Sequence, residues 1–338
     1  MKKRIVIFAG AVFLGLISYP QAAVQPGNSG PAGRVAQEIA RMEKAAGGLI
    51  GVGAIHLESG ESVYFHQDVR FPMGSAYKIP IAVQLLSRVE KGEIKLADMI
   101  NLGKTDLHPG SGTISRMLNK PGVVLSLHNL LELMLLVSDN SATDLCITSA
   151  GGTAAVTQKM RELGIEEIDI SRSTFVSIAN SLGITLFKEG DAYDEDKAYK
   201  AMSQLTEAMR EQAWQAFLDD PRDTATPAAM AGLLQKIWSR EALNSESTQL
   251  LLDIMKRCQT GNGRIRGLLP PNTTVFNKTG TINKVMNDVG IVKLPGDAGH
   301  IVVVIFIKDT KLGDDECEKT IAHIARFLYD YFLFWRSA

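Results

Sequence analysis

The 338 residues are 45% hydrophobic and 22% charged, ordinary for a globular chain long enough for one large domain or two lobes. A formal charge of −1, with no run rich in Lys and Arg, leaves no bulk field to draw in nucleic acid or an anionic membrane. Three cysteines (Cys146, Cys258 and Cys317) allow at most one bridge, so disulfides are not expected to hold the fold. The six histidines form neither a helical pair nor a Cys/His cluster, so no metal or other cofactor is expected.

In chain order, Met1-Lys2-Lys3-Arg4 is basic, residues 5–17 are small and apolar, and Ser18-Tyr19-Pro20-Gln21-Ala22-Ala23 breaks that run. This reads as a secretory signal peptide over residues 1–23, too short to span a bilayer, which predicts export to the periplasm or beyond without a lasting membrane span. Residues 35–46 have helical periodicity. Residues 48–57 and 62–66 read as strands around a hairpin turn. The stretch Phe71-Pro72-Met73-Gly74-Ser75-Ala76-Tyr77-Lys78-Ile79-Pro80 leads into a helix carrying Ala82, Leu85, Leu86 and Val89. Residues 125–137 predict a buried helix, and 142–150 and 153–163 two more. Residues 189–197 are acidic and solvent-loving, and 198–218 predict one helix with Met202, Leu205, Met209, Trp214 and Phe217 near one face. A turn at 220–224 and helices at 227–238 and 245–258 follow. The period then switches to strands at 274–279, 288–294 and 300–308, and a helix at 316–331 closes the chain.

Strands at both ends and helices between them predict an α+β fold: an antiparallel sheet built from both termini with an inserted helical lobe. The boundaries are placed at 24–70 with 225–338 for the α/β lobe and 71–224 for the helical one.

Three short segments carry chemistry. Ser75 and Lys78, three apart, share a helix face, so a hydroxyl nucleophile stands beside an amine that can act as its base. Read blandly, they are a helix cap and a solvated lysine. Ser138-Asp139-Asn140 follows the buried helix; Ser, Asp and Asn are also the preferred N-caps of the helix that comes next. Lys278-Thr279-Gly280 falls in a late strand, where an edge lysine and a glycine bulge are the alternative. All three together, in this order and context, resemble the class A β-lactamases and penicillin-binding proteins. The resemblance runs from about residue 35 to the last helix. It extends to Leu136-Val137-Ser138-Asp139-Asn140-Ser141-Ala142-Thr143, to Gly263-Arg264-Ile265-Arg266-Gly267-Leu268-Leu269-Pro270, to Asn287-Asp288-Val289-Gly290-Ile291-Val292 and to Arg222-Asp223-Thr224-Ala225-Thr226-Pro227.

The resemblance implies a fold of that family and a monomer acting on a β-lactam or cell-wall peptide. In such a site Ser75 attacks the amide carbonyl and Lys78 takes its proton. The N–H groups of Ser75 and Thr281 form the oxyanion hole, and Ser138 relays a proton to the leaving nitrogen. Asn140 binds the substrate's side-chain amide, and Lys278 and Thr279, beside Gly280, bind its carboxylate. Arg264 is either a second carboxylate donor or a solvated helix-end charge.

One departure bears on turnover. In class A enzymes an Ω-loop glutamate activates the water that frees the acylated serine. Arg172 resembles the arginine at the mouth of that loop, yet Thr174 stands where the glutamate belongs. About fifty residues separate Arg172 from Asp223, far beyond ordinary loop variation. Arg172 and Asp223 are expected to clamp this enlarged region (172–223), whose inserted helix either packs only or forms a lid. Glu189, Glu195, Glu207 and Glu211 are candidate replacement bases, and His108 and Asn283 candidate rim residues. Three readings stay open: a β-lactamase, a D-alanyl-D-alanine peptidase or esterase, and a receptor that is acylated without turnover.

Overall fold

In the computed structural model, which describes residues 30–334 except 109 and 192, the chain enters through helix α1 (Pro31–Ala46). The predicted signal peptide lies outside the described residues. Proline at the first helical position and Gly47 in the left-handed conformation after the last bound α1 by local rules alone. Strands β1 (Leu49–His56) and β2 (Ser62–Phe65) form the expected hairpin. A two-residue strand β3 (Phe71–Pro72) and a 3₁₀ turn (Gly74–Tyr77) lead into α2 (Lys78–Glu90). The helical region continues through β4 (Met99–Asn101), α3 (Ile114–Met117), β5 (Val124–Ser126), α4 (Leu127–Leu136), α5 (Asn140–Ser149) and α6 (Thr153–Glu162). The enlarged region holds α7 (Thr174–Ser181), α8 (Glu195–Ser203) and α9 (Glu207–Asp219). The chain returns through β6 (Thr224–Ala225), α10 (Pro227–Trp238) and α11 (Ser245–Lys256). It then forms β7 (Val275–Ile282), β8 (Val285–Lys293), β9 (His300–Lys308) and α12 (Asp314–Phe334).

The five-stranded sheet has the order β2-β1-β9-β8-β7, and every pair is antiparallel. Its strands come from both ends of the chain, as the pattern predicts. β9 sits in the middle and is covered on both faces. Ile301, Val303, Ile305 and Ile307 pack with residues of α1 and α12, while Val302, Val304 and Phe306 join the core formed with α2, α4, α10 and α11. Burial on both faces explains why this strand reads as a continuous apolar run rather than an alternating one. The edge strand β7 lies against the 3₁₀ turn and so delivers one end of the sheet to the site.

Among the elements that differ from the sequence expectation, three show the reasons. Residues 124–126 are a strand paired with Met99–Asn101, and Ser126 caps α4 by accepting from the Asn129 N–H. The single helix expected over 198–218 is two, broken before Thr206, whose hydroxyl caps α9. Helix α7 was not expected at all. Its sequence is rich in β-branched and short polar residues, poor helix formers. It is held by packing of Phe175, Val176 and Ala179 with Ile184 and Phe187 in a small core of its own.

Candidate active site

Ser75 is presented by the 3₁₀ turn, not by the first turn of an α-helix as expected. A 3₁₀ turn has three residues per turn, so positions i and i+3 eclipse. Ser75 and Lys78 therefore fall on one side of the turn, with the Lys78 N–H bonded to the Ser75 carbonyl. Gly74, at φ +49°, enters the turn in a backbone conformation that favours glycine. Asn287 of β8, fully buried, donates from Nδ2 to the Pro72 and Met73 carbonyls at 2.9 Å each and so ties the turn to the sheet. This anchoring role was not read from the sequence. The signal was there: an amide and a carboxylate, Asn287-Asp288, inside a run of apolar residues must find partners.

Ser138 is the meeting point of two amines. Lys78 Nζ donates to the Ser138 carbonyl at 2.8 Å, to Ser138 Oγ at 3.1 Å and to Asn140 Oδ1 at 3.3 Å. Lys278 Nζ donates to the same Ser138 Oγ at 3.1 Å and to the Thr279 carbonyl at 2.9 Å. Both lysines are fully buried, which overturns the solvated-lysine alternative; Lys278 does lie on the edge strand β7, but the β7–β8 register runs through Gly280 without a bulge. Burial, and then the neighbouring Lys278 charge, hold Lys78 well below the ordinary lysine range. Burial brings Lys278 down to about 8. A buried amine whose pKa is lowered gives up its proton more readily than an exposed one, as a base requires.

The capping reading of Ser138-Asp139-Asn140 also holds, on a different residue. Asp139 caps α5 through Oδ1 on the Ala142 N–H at 2.9 Å, and its Oδ2 accepts from the N–H groups of Thr113 at 2.5 Å and Ile114 at 2.7 Å. With Asp139 so occupied, Ser138, at φ +59°, and Asn140 turn towards Lys78.

On the sheet side, a Cβ at Gly280 would collide with the Met73 carbonyl, so only glycine allows β7 to lie this close to the Ser75 turn. Thr279 Oγ1 shares a hydrogen bond with Thr260 Oγ1 at 2.6 Å. Arg264 is buried and not a solvated helix-end charge. It donates to Glu318 at 2.9 Å, to the Gly280 and Asn287 carbonyls at 3.2 and 2.9 Å, and to Thr281 Oγ1 at 2.9 Å. It therefore braces β7 and orients the Thr281 hydroxyl.

A cavity of about 250 Å³ opens beside Ser75, lined by Tyr77, Asn140, Thr281, Thr174, Phe217 and Ile282 among others. Arg172 and Asp223 form the expected clamp. Arg172 Nε donates to Asp223 Oδ2 at 2.5 Å, and Asp223 Oδ1 accepts from the N–H groups of Ser171 at 2.8 Å and Arg172 at 3.0 Å. Arg172 also donates to Asp220 at 3.1 Å and lies over the Phe217 ring. Thr174 does reach the cavity, but its hydroxyl is bonded to Tyr77 OH. Burial and the Asp144 charge hold that phenol well above its usual range.

None of the four candidate replacement bases lines this cavity. Glu189 accepts from the Ser173 N–H at 2.6 Å, Glu195 lines a separate surface cavity, and Glu211 pairs with Lys284 at 3.7 Å. Glu207, in the first turn of α9, is exposed. Among the described residues, Asp223 is the one carboxylate on the cavity wall, and its oxygens are already occupied. The suggested rim residues do not line it either. His108 pairs with Asp144 at 3.2 Å and stacks on Phe175, and Asn283 lies in the β7–β8 turn. Asp144 was overlooked: it accepts from the N–H groups of Thr174 at 2.7 Å and Phe175 at 3.2 Å, anchoring α7 to α5.

The comparisons with known proteins agree with this geometry. Residues 34–332 match the model of the beta-lactamase enzyme family. The chain is 27% identical over 305 residues to beta-lactamase VEB-1 of Pseudomonas aeruginosa, covering 88% of this chain and 89% of that protein. It is 28% identical over 322 residues to the carbapenem-hydrolyzing beta-lactamase KPC of Klebsiella oxytoca, covering 95% and 96%. A β-lactamase structure from Chitinophaga pinensis superposes with a TM-score of 0.71 at 29% identity, covering 88% of this chain and 98% of that one. An ancestral class A β-lactamase superposes with a TM-score of 0.70 at 28% identity, covering 88% and 99%. With a family match over nearly its whole length and a fold shared with class A enzymes, this chain belongs to the beta-lactamase enzyme family.

Proposed function

We propose that this protein opens β-lactam rings through an acyl-enzyme on Ser75. The observation that carries the reading is Ser138 Oγ bonded to two fully buried amines, Lys78 and Lys278, beside the serine turn. Neutral Lys78 takes the Ser75 proton as Oγ bonds to the carbonyl carbon. The ring C–N bond breaks, and the proton passes from Lys78 through Ser138 to the departing nitrogen. The N–H groups of Ser75 and Thr281 stabilise the oxyanion, each donor worth about 10²–10³ in rate. Lys278 and Thr279 hold the substrate carboxylate, and Asn140 its side-chain amide.

Deacylation is the slow half of the cycle. Among the described residues, no free carboxylate base stands on the cavity wall for the water that attacks the ester. General-base assistance is worth about 10²–10⁴, so the acyl-enzyme accumulates. Thr174, bonded to Tyr77, is also the observation that favours a second reading, a D-alanyl-D-alanine peptidase or esterase of the penicillin-binding type. The enzyme acts as a monomer after export, with residues 1–23 removed. Among the described residues no helix is long and apolar enough to cross a membrane. The division into lobes at residues 71 and 224 is supported by the β3–β6 pairing of Phe71 with Ala225 and Pro72 with Thr224, which closes the neck of the helical lobe.

Stopped-flow hydrolysis of a chromogenic cephalosporin tests the reading. A burst equal to the enzyme concentration, followed by slow turnover, is expected. Ser75→Ala abolishes both the burst and the mass increase seen with penicillin. A burst with no turnover, together with release of D-alanine from a pentapeptide, supports the second reading instead. Acylation that persists in Ser75→Ala overturns the site.

A further inference from the structure

We infer that Cys258 and Thr260, in the segment that follows α11, are positioning residues: together they fix the direction of the hydrogen bond at Thr279, so that the Thr279 hydroxyl donates to the substrate carboxylate. The inference rests on the β-lactam reading above, in which Thr279 binds that group. The segment is held against both halves of the site. The Gln259 N–H donates to the Leu136 carbonyl at 3.0 Å, on the turn that leads to Ser138. A Cβ at Gly261, at φ +71°, would collide with Thr279 Cγ2, so the segment lies directly on β7. Cys258 and Thr279 are buried and Thr260 is half-buried.

The order of the protons follows from counting them. A hydroxyl or a thiol has one hydrogen to donate, and a carboxylate only accepts. Thr279 Oγ1 lies 2.6 Å from Thr260 Oγ1, so one of the two donates in that bond. Were Thr279 the donor, its single hydrogen would be spent and the carboxylate would meet a lone pair. Thr260 must therefore donate, which leaves its own oxygen as an acceptor towards its other side-chain partner among the described residues, Cys258 Sγ at 3.3 Å. The thiol supplies the S–H that this order needs; its alternative acceptor, the Thr260 carbonyl, is farther away at 3.8 Å. The chain runs from Cys258 S–H to Thr260 Oγ1, from Thr260 O–H to Thr279 Oγ1, and from Thr279 O–H into the site. Arg264 does the same for the next hydroxyl along β7. Its guanidinium only donates, at 2.9 Å to Thr281 Oγ1, so the Thr281 hydrogen is likewise left for another acceptor.

The test compares benzylpenicillin with its methyl ester, which keeps the nucleus and the acyl group but carries no anionic carboxylate. Second-order rates of acylation are measured from intact mass. Cys258→Ala removes the donor, so Thr260 is free to accept from Thr279 and the acid loses a hydrogen bond. The acid-to-ester rate ratio is expected to fall about three- to tenfold. Cys258→Ser keeps a donor at the same place and is expected to retain most of the wild-type ratio. Cys258→Val has a similar volume and no donor, and serves if Cys258→Ala does not fold. A packing role slows both compounds alike. An unchanged ratio in the folded donor-free variants, or an equal fall in Cys258→Ser, therefore overturns the inference and leaves the function intact. A wild type acylated by neither compound overturns both.

Discussion

The centre around Ser138 and the inserted region 173–222 are held by different physics. At the centre, Lys78, Lys278, Asn277, Asn287 and Asp288 are fully buried polar groups drawn from α2, β7 and β8. Each is satisfied by partners distant in sequence, such as Asn277 Nδ2 on Asp288 Oδ1 at 2.9 Å. Loss of one partner leaves a buried group without compensation, so the arrangement tolerates little variation. The inserted region rests on two small apolar clusters, the Arg172–Asp223 clamp and helices whose outer faces carry Tyr199 and Met209 in solvent. A chain held in this way can lengthen without disturbing the chemistry, because few buried polar groups depend on it.

Substitution at the centre is the sharpest way to break that contrast. Lys78→Ala is expected to slow acylation by about 10²–10⁴, read from stopped-flow kinetics, with a circular dichroism spectrum like that of the wild type. The wild-type pH profile carries the same information. Acylation rises with pH as Lys78 loses its proton, and falls above about pH 8 as Lys278 loses the charge that binds the carboxylate. Stability moves the other way on the alkaline side. The folded-state pKa of Lys278, about 8, lies below its ordinary value of 10.5, so between those limits the unfolded chain binds more protons than the folded one. Stability therefore increases with pH across that window while activity declines. A parallel fall of both would show that the alkaline loss is unfolding.

Breaking the clamp probes the inserted region. Arg172→Ala leaves Asp223 buried without its cation and is expected to cost about 3–5 kcal/mol in chemical denaturation, with hydrogen exchange accelerating first in α7 and α9. Arg172→Lys is not expected to rescue it, because one ammonium cannot reproduce contacts to Asp223, Asp220, Asn180 and the Arg222 carbonyl. The smallest effect belongs to Thr206→Ala. Loss of this exposed cap on α9 is expected to cost about 1 kcal/mol and to leave the acylation rate unchanged. An acylation rate that dropped with it would tie the inserted region to the chemistry more closely than its packing suggests.

Much of the proposed site could be marked out before any fold was known. Ser75, Lys78, Ser138, Asn140 and Lys278 stand out because a nucleophile, its base and a proton relay require particular residue types, in short segments whose local context is recognisable. Helix α10 was bounded to the residue because Thr226 and Pro227 set its start through local capping. Helix α7 was not, since its stability comes from Phe187 and Ile184 beyond its own end and from Asp144 on another helix.

Residue types and their periodicity thus determined the strands near both ends, the helical interior and the residues proposed to react, because each is read from neighbours within a few positions. Folding decided the rest: that Arg264 braces β7, that Asn287 anchors the Ser75 turn, and that, among the described residues, the one carboxylate on the cavity wall, Asp223, is already bonded. Those outcomes depend on which surfaces meet across separations of 16 to 215 residues. Burial and charge compensation act on such meetings only once the chain has closed on itself.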